Sequence, residues 1–141
     1  MIQGIDHIGI AVHSLAERIP FYQEVLGLSE VIIEEVPEQR VNVAMFPTPH
    51  GRIELLEPTD AESPIARFLE KHGEGIHHLA LGTDNTAREL KGVRDHQLPT
   101  IDEHPRPGAH GAQIGFVHPR ATGGVLLEFC QRDKDVMKDT T

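Results

Sequence analysis

The sequence has little of what secreted, nucleic-acid-binding and membrane-spanning proteins require. Its 141 residues include one cysteine, Cys130, no tryptophan and 4% aromatic residues, and 22 acidic side chains stand against 13 Lys and Arg. One cysteine excludes an intrachain disulfide and favours a reducing compartment. A net charge of −9 without a basic cluster argues against a nucleic-acid groove. No apolar run approaches the roughly 20 residues of a membrane-spanning helix.

The remaining composition predicts one soluble domain. Hydrophobic residues make up 38% of the chain, which is enough for a core of ordinary size. The first residues do not follow the basic, apolar and small-residue order of a secretory signal. We therefore expect a cytoplasmic protein.

A short pattern occurs twice, about half a chain apart. The first copy, DHIGIAV followed by GRIELLE, contains His7 and Glu54, and the second, HHLALGT followed by GGVLLEF, contains His78 and Glu128. The intervals of 47 and 50 residues nearly match. A duplicated unit tends to place equivalent residues about a pseudo-twofold axis, so the four side chains can converge on one point.

Strand alternation decides which histidine of the second copy is equivalent to His7. His7 shares a strand face with Gly9 and Ala11, and in the second copy His78 shares a face with Ala80. The pattern therefore selects His78 over His77, and the small neighbours leave room for a ligand.

Turn and cap signals predict two βαβββ modules in one domain. We expect module 1 over 1–57, a connector over 58–74 with its own helix, module 2 over 75–130 and a charged, frayed tail over 131–141. Pro20 should kink the first helix. The predicted strands cover 4–12, 28–36, 40–46, 52–57, 75–82, 100–103, 112–118 and 124–130, and the predicted helices run from Ser14 to Gly27, from Ser63 to Gly73 and from Asp84 to Asp95.

His7, Glu54, His78 and Glu128 form a chemically consistent set of metal ligands. Neutral imidazole and carboxylate suit a divalent ion such as Zn, Co, Ni, Mn or Fe(II), and four ligands of an octahedral ion leave two positions open for a substrate. Each residue alone is more often structural, but agreement in spacing and strand face favours a metal site. Glu57 competes with Glu54 because it lies three residues further along. The remaining histidines have weaker claims: His13, His50, His72, His96, His104, His110 and His118.

The run PRPGAHG before a strand is a second feature of interest. It is either a plain loop or a loop whose backbone amides, including those of Gly108 and Gly111, meet an anionic substrate.

These residues resemble the vicinal oxygen chelate superfamily of glyoxalases, bleomycin-resistance proteins and dioxygenases. Within it, DHIGIAV, VPEQRVNVA, RIELLEP, SPIARFLEKHGEGIHHLAL, PRPGAHG and HPRATGGVLLE are similar to the methylmalonyl-CoA epimerase family over nearly the whole chain. The resemblance implies an α+β glyoxalase-like fold, with two tandem βαβββ modules forming a curved mixed sheet around a central metal site. It also implies that His7, Glu54, His78 and Glu128 bind one divalent ion, with Co²⁺ favoured.

The activity that the resemblance implies is interconversion of (R)- and (S)-methylmalonyl-CoA. A proton beside two carbonyl groups is removed and returned on the other face through a metal-stabilised enolate, with two carboxylates as base and acid. At the position from which some members supply the second acid, this chain has Val43. The proton carriers implied here are therefore Glu128 and Glu54, as in glyoxalase I.

Rival functions remain within the same fold. A lactoylglutathione lyase uses similar proton transfer but needs a glutathione pocket, and a non-catalytic small-molecule binding protein would need no metal. An extradiol dioxygenase is disfavoured because such sites use two histidines and one carboxylate.

A CoA ester is strongly anionic, so an acidic protein needs a local basic patch to bind it. Arg40, Arg106 and Arg120 are the candidates, although any one of them alone has the ordinary features of a surface arginine. Relatives of this fold often dimerise, which makes a homodimer the expected assembly.

Overall fold

The computed structural model describes residues 1–133, which divide into two compact units. The continuous unit consists of Ile8–His77. The split unit combines Met1–His7 with the chain from His78 onwards. The unit boundaries cross two strands, so β1 (Ile2–Ala11) and β5 (Gly75–Thr83) each contribute residues to both units.

The continuous unit contains three whole strands, the end of β1 and two α-helices. Its strand order is β2, β3, β4, β1, with antiparallel pairing of β2 to β3 and of β3 to β4. Its core is built around Phe46, Leu55 and Ala44, which are completely buried. The elements are α1 (Leu15–Pro20), β2 (Ile32–Val36), β3 (Val41–Thr48), β4 (Gly51–Pro58) and α2 (Pro64–His72).

Local sequence signals account for both helices of this unit. The Ser14 side chain accepts a hydrogen bond from Glu17 N and so caps the start of α1. Because proline lacks an N–H, α1 ends at Pro20 and the chain continues as a π-helical turn over Phe21–Val25. Ser63 caps the start of α2, and Gly73, with a φ of 76°, ends it.

The split unit contains a mixed sheet with one helix packed on it. The strand order is β1, β5, β8, β7, β6, with β5 parallel to β8 and the pairs β8 to β7 and β7 to β6 antiparallel. A Cβ on Gly115 would lie 2.6 Å from Leu90 Cδ1, so the glycine permits close packing of the helix on the sheet. The further elements are α3 (Thr86–Asp95), β6 (Arg106–Pro107), β7 (Gln113–Val117) and β8 (Leu127–Gln131).

The element order confirms the predicted pair of βαβββ modules and the α+β class. The exact module bounds and their union in a single domain stay predictions. Within residues 1–133, no helix combines the length and the apolar character needed to cross a membrane.

The predicted bounds of several individual strands and helices were wrong. The strand expected over 100–103 is reduced to one bridge from Thr100 to Val117, and the pairing strand is β6 instead. Asp102 explains this, because its Oδ2 accepts the Phe116 N–H at 2.8 Å in place of a backbone carbonyl. β2 begins at Ile32 and β8 at Leu127, later than predicted, and α3 begins at Thr86 because Asn85 is its cap.

The expectation of fraying from Gln131 onwards was also wrong for the first residues of the tail. Gln131 ends β8, and the Arg132 side chain is only 3% exposed because it forms an ion pair with Asp6. The rest of the predicted tail, from residue 134, lies outside the described residues.

Candidate metal centre and active site

Two imidazole rings and one carboxylate meet inside the split unit. His7 lies on β1, His78 on β5 and Glu128 on β8, and they are 3%, 5% and 3% exposed. The two Nε2 atoms lie 3.0 Å apart. Glu128 Oε1 lies 3.3 Å from His7 Nε2, and Oε2 lies 3.6 Å from His78 Nε2. Three donor groups therefore converge within the reach of one small ligand.

Strand register explains how Glu128 reaches the histidines. In the parallel pairing, Glu128 stands opposite Ala80, which shares a strand face with His78. Ala80 is fully buried and small, so the carboxylate and the imidazole can approach each other above it. The alternation that selected His78 in the sequence is thus the alternation that the sheet uses.

A buried ion pair lies directly behind His7. His7 Nδ1 lies 2.7 Å from Asp6 Oδ2. Arg132 donates from Nε to Asp6 Oδ1 at 3.0 Å and from Nη2 to Oδ2 at 2.9 Å. Burial, the largest single influence, raises the pKa of the Asp6 carboxyl, but the hydrogen bonds from His7 and Arg132 and the charge of Arg132 outweigh it and hold that pKa well below its usual range.

Cys130 is a further group near His7 that could bind a metal. Its ligand atom lies within 4.8 Å of those of Asp6 and His7. However, Asp6 is already engaged by Arg132 and His7, and burial raises the pKa of the Cys130 thiol to about 11. Cys130 is therefore a buried thiol of the core rather than a thiolate ligand.

The donor set suits a divalent first-row metal. Two imidazole nitrogens and a carboxylate are the ligand types that zinc, cobalt and iron(II) sites use. All three come from paired strands, which hold ligands more precisely than loops do. The residues present therefore fit the ion that the sequence pattern predicted.

Arg106 lies beside this cluster, with Phe116 between them. The Phe116 ring packs edge-on against His78 with centroids 5.6 Å apart, and the Arg106 guanidinium carbon lies 5.5 Å from the centroid of Phe116. Asp102 holds both residues, because it accepts the Phe116 N–H and lies 3.1 Å from Arg106 Nε. The Arg106 side chain is 38% exposed, so it can meet a ligand from solvent.

Glu54 belongs to the continuous unit. It lies on β4 opposite Met45 and is 4% exposed. Its competitor Glu57 has a structural task, since its carboxylate accepts from Leu15 N at 2.8 Å and from the Asn42 amide at 3.2 Å. Val43, at the position of the alternative acid, is 2% exposed.

The structure of each repeat supports Glu54, rather than Glu57, as the residue equivalent to Glu128. Leu15 begins α1 and Thr86 begins α3, each eight residues after a candidate histidine. Thr86 N donates to Gln131 Oε1 at 2.9 Å, just as Leu15 N donates to Glu57. Gln131 lies three residues after Glu128, and Glu57 lies three residues after Glu54. Glu57 is therefore equivalent to Gln131, and Glu54 is equivalent to Glu128.

The other predicted substrate-binding residues lie in varied settings. Arg40 is in the continuous unit, 50% exposed and 3.3 Å from Asp60 Oδ1. Gly108 is required by packing, because a Cβ there would lie 2.8 Å from Ile114 Cγ2, and its N–H already donates to Ala112 O. Gly111 adopts a φ of 73°, and Arg120 lies exposed in a 3₁₀ turn over Pro119–Ala121. Arg106 is thus the predicted residue with a described link to the cluster, through Phe116.

Asp6 and Arg132 were missed by the sequence analysis. Asp6 directly precedes a candidate histidine, which is a usable signal, because metal-binding histidines commonly donate their second N–H to a carboxylate. Arg132 carried no such signal, since it is 126 positions away from its partner.

Residues 6–116 match the Glyoxalase/Bleomycin resistance protein/Dioxygenase superfamily. The chain belongs to this superfamily. The match covers most of both repeats and confirms the glyoxalase-like fold.

Relatives within the superfamily include named epimerases. The chain is 32% identical to the Ethylmalonyl-CoA/methylmalonyl-CoA epimerase of Cereibacter sphaeroides, over 93% of the chain and 99% of the relative. It is 45% identical to the uncharacterised protein YqjC of Bacillus subtilis, over 93% and 94% of the two chains. A substituted form of the Streptomyces coelicolor methylmalonyl-CoA epimerase, solved with 2-nitronate-propionyl-CoA, superposes with a TM-score of 0.90 at 36% identity, over 95% and 97% of the chains. The resemblance to this family is thereby confirmed.

Proposed function

We propose that this protein is an epimerase that interconverts (R)- and (S)-methylmalonyl-CoA. The observation that carries the proposal is the convergence of His7, His78 and Glu128 within 3.0–3.6 Å, in a chain that is 36% identical to a solved methylmalonyl-CoA epimerase over almost its whole length. The reaction needs a base close to a site that stabilises negative charge on oxygen, and this cluster supplies the groups for both.

The proposed metal ligands are His7, Glu54, His78 and Glu128, with Co²⁺ as the proposed ion. Glu54 enters this set through its equivalence to Glu128 in the repeat. When bound, a divalent ion supplies Lewis-acid stabilisation of the negative charge that develops on the thioester oxygen as the C2 proton leaves.

Glu128 is the proposed base for one face of the substrate and Glu54 for the other. A carboxylate is a much weaker base than an enolate. It can therefore remove the C2 proton only where the negative charge of the resulting enolate is stabilised. The Glu128 oxygens lie 3.3 Å from His7 Nε2 and 3.6 Å from His78 Nε2, which puts the proposed base directly beside the proposed metal ligands. Val43 is apolar and buried, so it offers no competing proton carrier.

Arg106 is the proposed anchor for an anionic group of the substrate. Its guanidinium is fixed over Phe116 and paired with Asp102, while more than a third of the side chain faces solvent. A preoriented guanidinium binds carboxylate or phosphate oxygens with little loss of side-chain entropy. Arg40 and Arg120, with Gly108 and Gly111, remain predictions for the CoA portion.

The deciding experiment is a proton NMR time course of methylmalonyl-CoA in deuterium oxide with metal-loaded protein. We expect rapid loss of the C2 proton signal of both isomers with the wild type. With Glu128→Gln, one of the two isomers should lose this signal at least 100-fold more slowly. Glu57→Gln is the matched control, because it alters a glutamate of another strand, β4, and the side chain of that residue accepts a hydrogen bond from the first N–H of α1. Wild-type protein that leaves the C2 proton in place would refute the proposal.

The alternative is a lactoylglutathione lyase, and one observation favours it. The proton carriers available here are two equivalent glutamates, with Val43 at the other acid position, which is the arrangement that the sequence analysis associated with glyoxalase I. The hemithioacetal of methylglyoxal and glutathione is the test substrate. Turnover of this adduct together with inactivity on the CoA ester would refute the epimerase and favour the lactoylglutathione lyase.

The metal identity, a homodimer and a cytoplasmic location also stay predictions. Elemental analysis of protein purified without chelators tests the metal, and light scattering coupled to size exclusion tests the dimer. Location requires imaging of the protein in its cell of origin.

A further inference from the structure

The ion pair behind His7 is more deeply buried than ion pairs usually are. The side chains of Asp6 and Arg132 are 6% and 3% exposed, and that of His7 is 4% exposed. Removing two charges from water costs several kcal/mol per ion, and apolar residues of similar size often stabilise a fold equally well. Stability alone is therefore a weak explanation for this pair.

The repeat shows that the fold does not need charges at these positions. In the first copy, the residue equivalent to Arg132 is Pro58, four residues after Glu54, as Arg132 is four after Glu128. In the second copy, the residue equivalent to Asp6 is His77, which packs against the Phe68 ring with centroids 5.1 Å apart. The same strand positions are thus built elsewhere in the chain without this pair.

The geometry of the three residues constrains the His7 ring. Both Asp6 oxygens are held by Arg132, at 3.0 Å and 2.9 Å, so the carboxylate cannot rotate freely about its bond. Its Oδ2 lies 2.7 Å from His7 Nδ1, which makes Nδ1 the nitrogen that carries the proton. Nε2 is then the nitrogen with the lone pair, and it faces His78 and Glu128.

We propose that Asp6, held by Arg132, is a positioning residue that fixes the orientation and tautomer of His7 so that Nε2 is presented to the metal. This inference rests on the metal site of the proposed function. It adds two residues that never touch substrate and that act through His7 alone.

The test is metal affinity, measured by competition with a chromophoric chelator using Co²⁺ and Zn²⁺. The double substitution Asp6→Leu with Arg132→Met removes both charges together, so it avoids leaving one buried charge unpaired. We expect the dissociation constant to rise 10- to 100-fold. The control is Lys91→Ala with Asp95→Ala, which deletes an exposed ion pair of the same unit and should change affinity less than twofold.

Two further measurements keep the proposal falsifiable if the double variant does not fold. Nitrogen NMR of the wild type should show His7 with its proton on Nδ1. Arg132→Lys keeps the positive charge but loses the pair of hydrogen bonds that the guanidinium donates to both Asp6 oxygens. It should therefore weaken metal binding by less than the double substitution does. A proton on Nε2 of His7, or a folded double variant with metal affinity within twofold of the wild type, would overturn the inference.

These readouts separate this inference from the proposed function. Neither affinity nor tautomer depends on a CoA ester, so protein that binds metal but does not exchange the C2 proton would overturn the epimerase proposal alone. An active epimerase whose double variant keeps full metal affinity would overturn the positioning role alone.

Discussion

The continuous unit and the split unit start their helices in the same way but surround their buried glutamates differently. In each unit, the side chain three residues after the buried glutamate accepts a hydrogen bond from the first N–H of the helix. Leu15 N donates to Glu57, and Thr86 N donates to Gln131. Only the split unit adds a buried ion pair one residue further along, at Arg132. The two repeats therefore place their glutamates at equivalent positions, whereas the buried ion pair of Asp6 and Arg132 is specific to the split unit.

The largest expected effect tests whether Glu54 and Glu128 are equivalent in chemistry as well as in position. Glu54→Gln and Glu128→Gln should each lower epimerisation by 10²- to 10⁴-fold, because each removes one proton carrier. With the two substrate isomers supplied separately, each variant should still exchange the proton of one isomer and fail with the other. A Glu54→Gln protein with wild-type rates on both isomers would break the equivalence.

The next effect concerns the pH dependence of stability at His77, the position equivalent to Asp6. Burial lowers the pKa of His77 to about 4 from its ordinary value near 6.5. The unfolded chain therefore binds a proton first as pH falls, so stability is full above pH 6.5 and is lost progressively toward pH 4. Between pH 7 and pH 4.5 we expect a loss of about 2 kcal/mol from this group.

Urea unfolding of the wild type and His77→Gln across this pH range checks the assignment. The variant has no titrating group at this position, so its unfolding free energy should fall by less over the same interval. Parallel pH curves for the two proteins would show that His77 does not respond as its burial implies.

A smaller effect tests the shared start of the helices. Glu57→Ala and Gln131→Ala should each cost about 1 kcal/mol of stability, because each leaves the first N–H of a helix without its acceptor. Glu57→Ala should cost more, since a negative charge at a helix N-terminus and the contact with Asn42 are lost together. Thermal unfolding monitored by circular dichroism measures both, and metal affinity should be unchanged.

The smallest effect concerns the residues where the chain leaves the helices. In the first copy this residue is Gly27, with a φ of 75°, and in the second it is Gln97, with a φ of 62°. Left-handed backbone is strained for a residue with a Cβ, so Gln97→Gly should stabilise the protein by about 0.5–1 kcal/mol. Gly27→Gln should destabilise it by a similar amount, and shifts of the same sign in the two unfolding midpoints would contradict this.

Short-range features were predictable from the sequence because each depends on a few neighbouring residues. Ser63 and Gly73 gave the ends of α2, and alternation of small residues selected His78. The pair formed by Asp6 and Arg132 was not predictable, because no periodicity links residues so far apart. The prediction of a strand over 100–103 was wrong because the Asp102 side chain, instead of a backbone carbonyl, accepts the Phe116 N–H. Strand propensity does not reveal such a replacement.

The division of the split unit along the chain sets an order for its folding during synthesis. The continuous unit is complete once residue 77 has been made, so it can form before the split unit does. Asp6 and His7 can contact Arg132 and Glu128 only after about 120 further peptide bonds have formed. His7, His78 and Glu128 can therefore come together only after the second repeat has been synthesised.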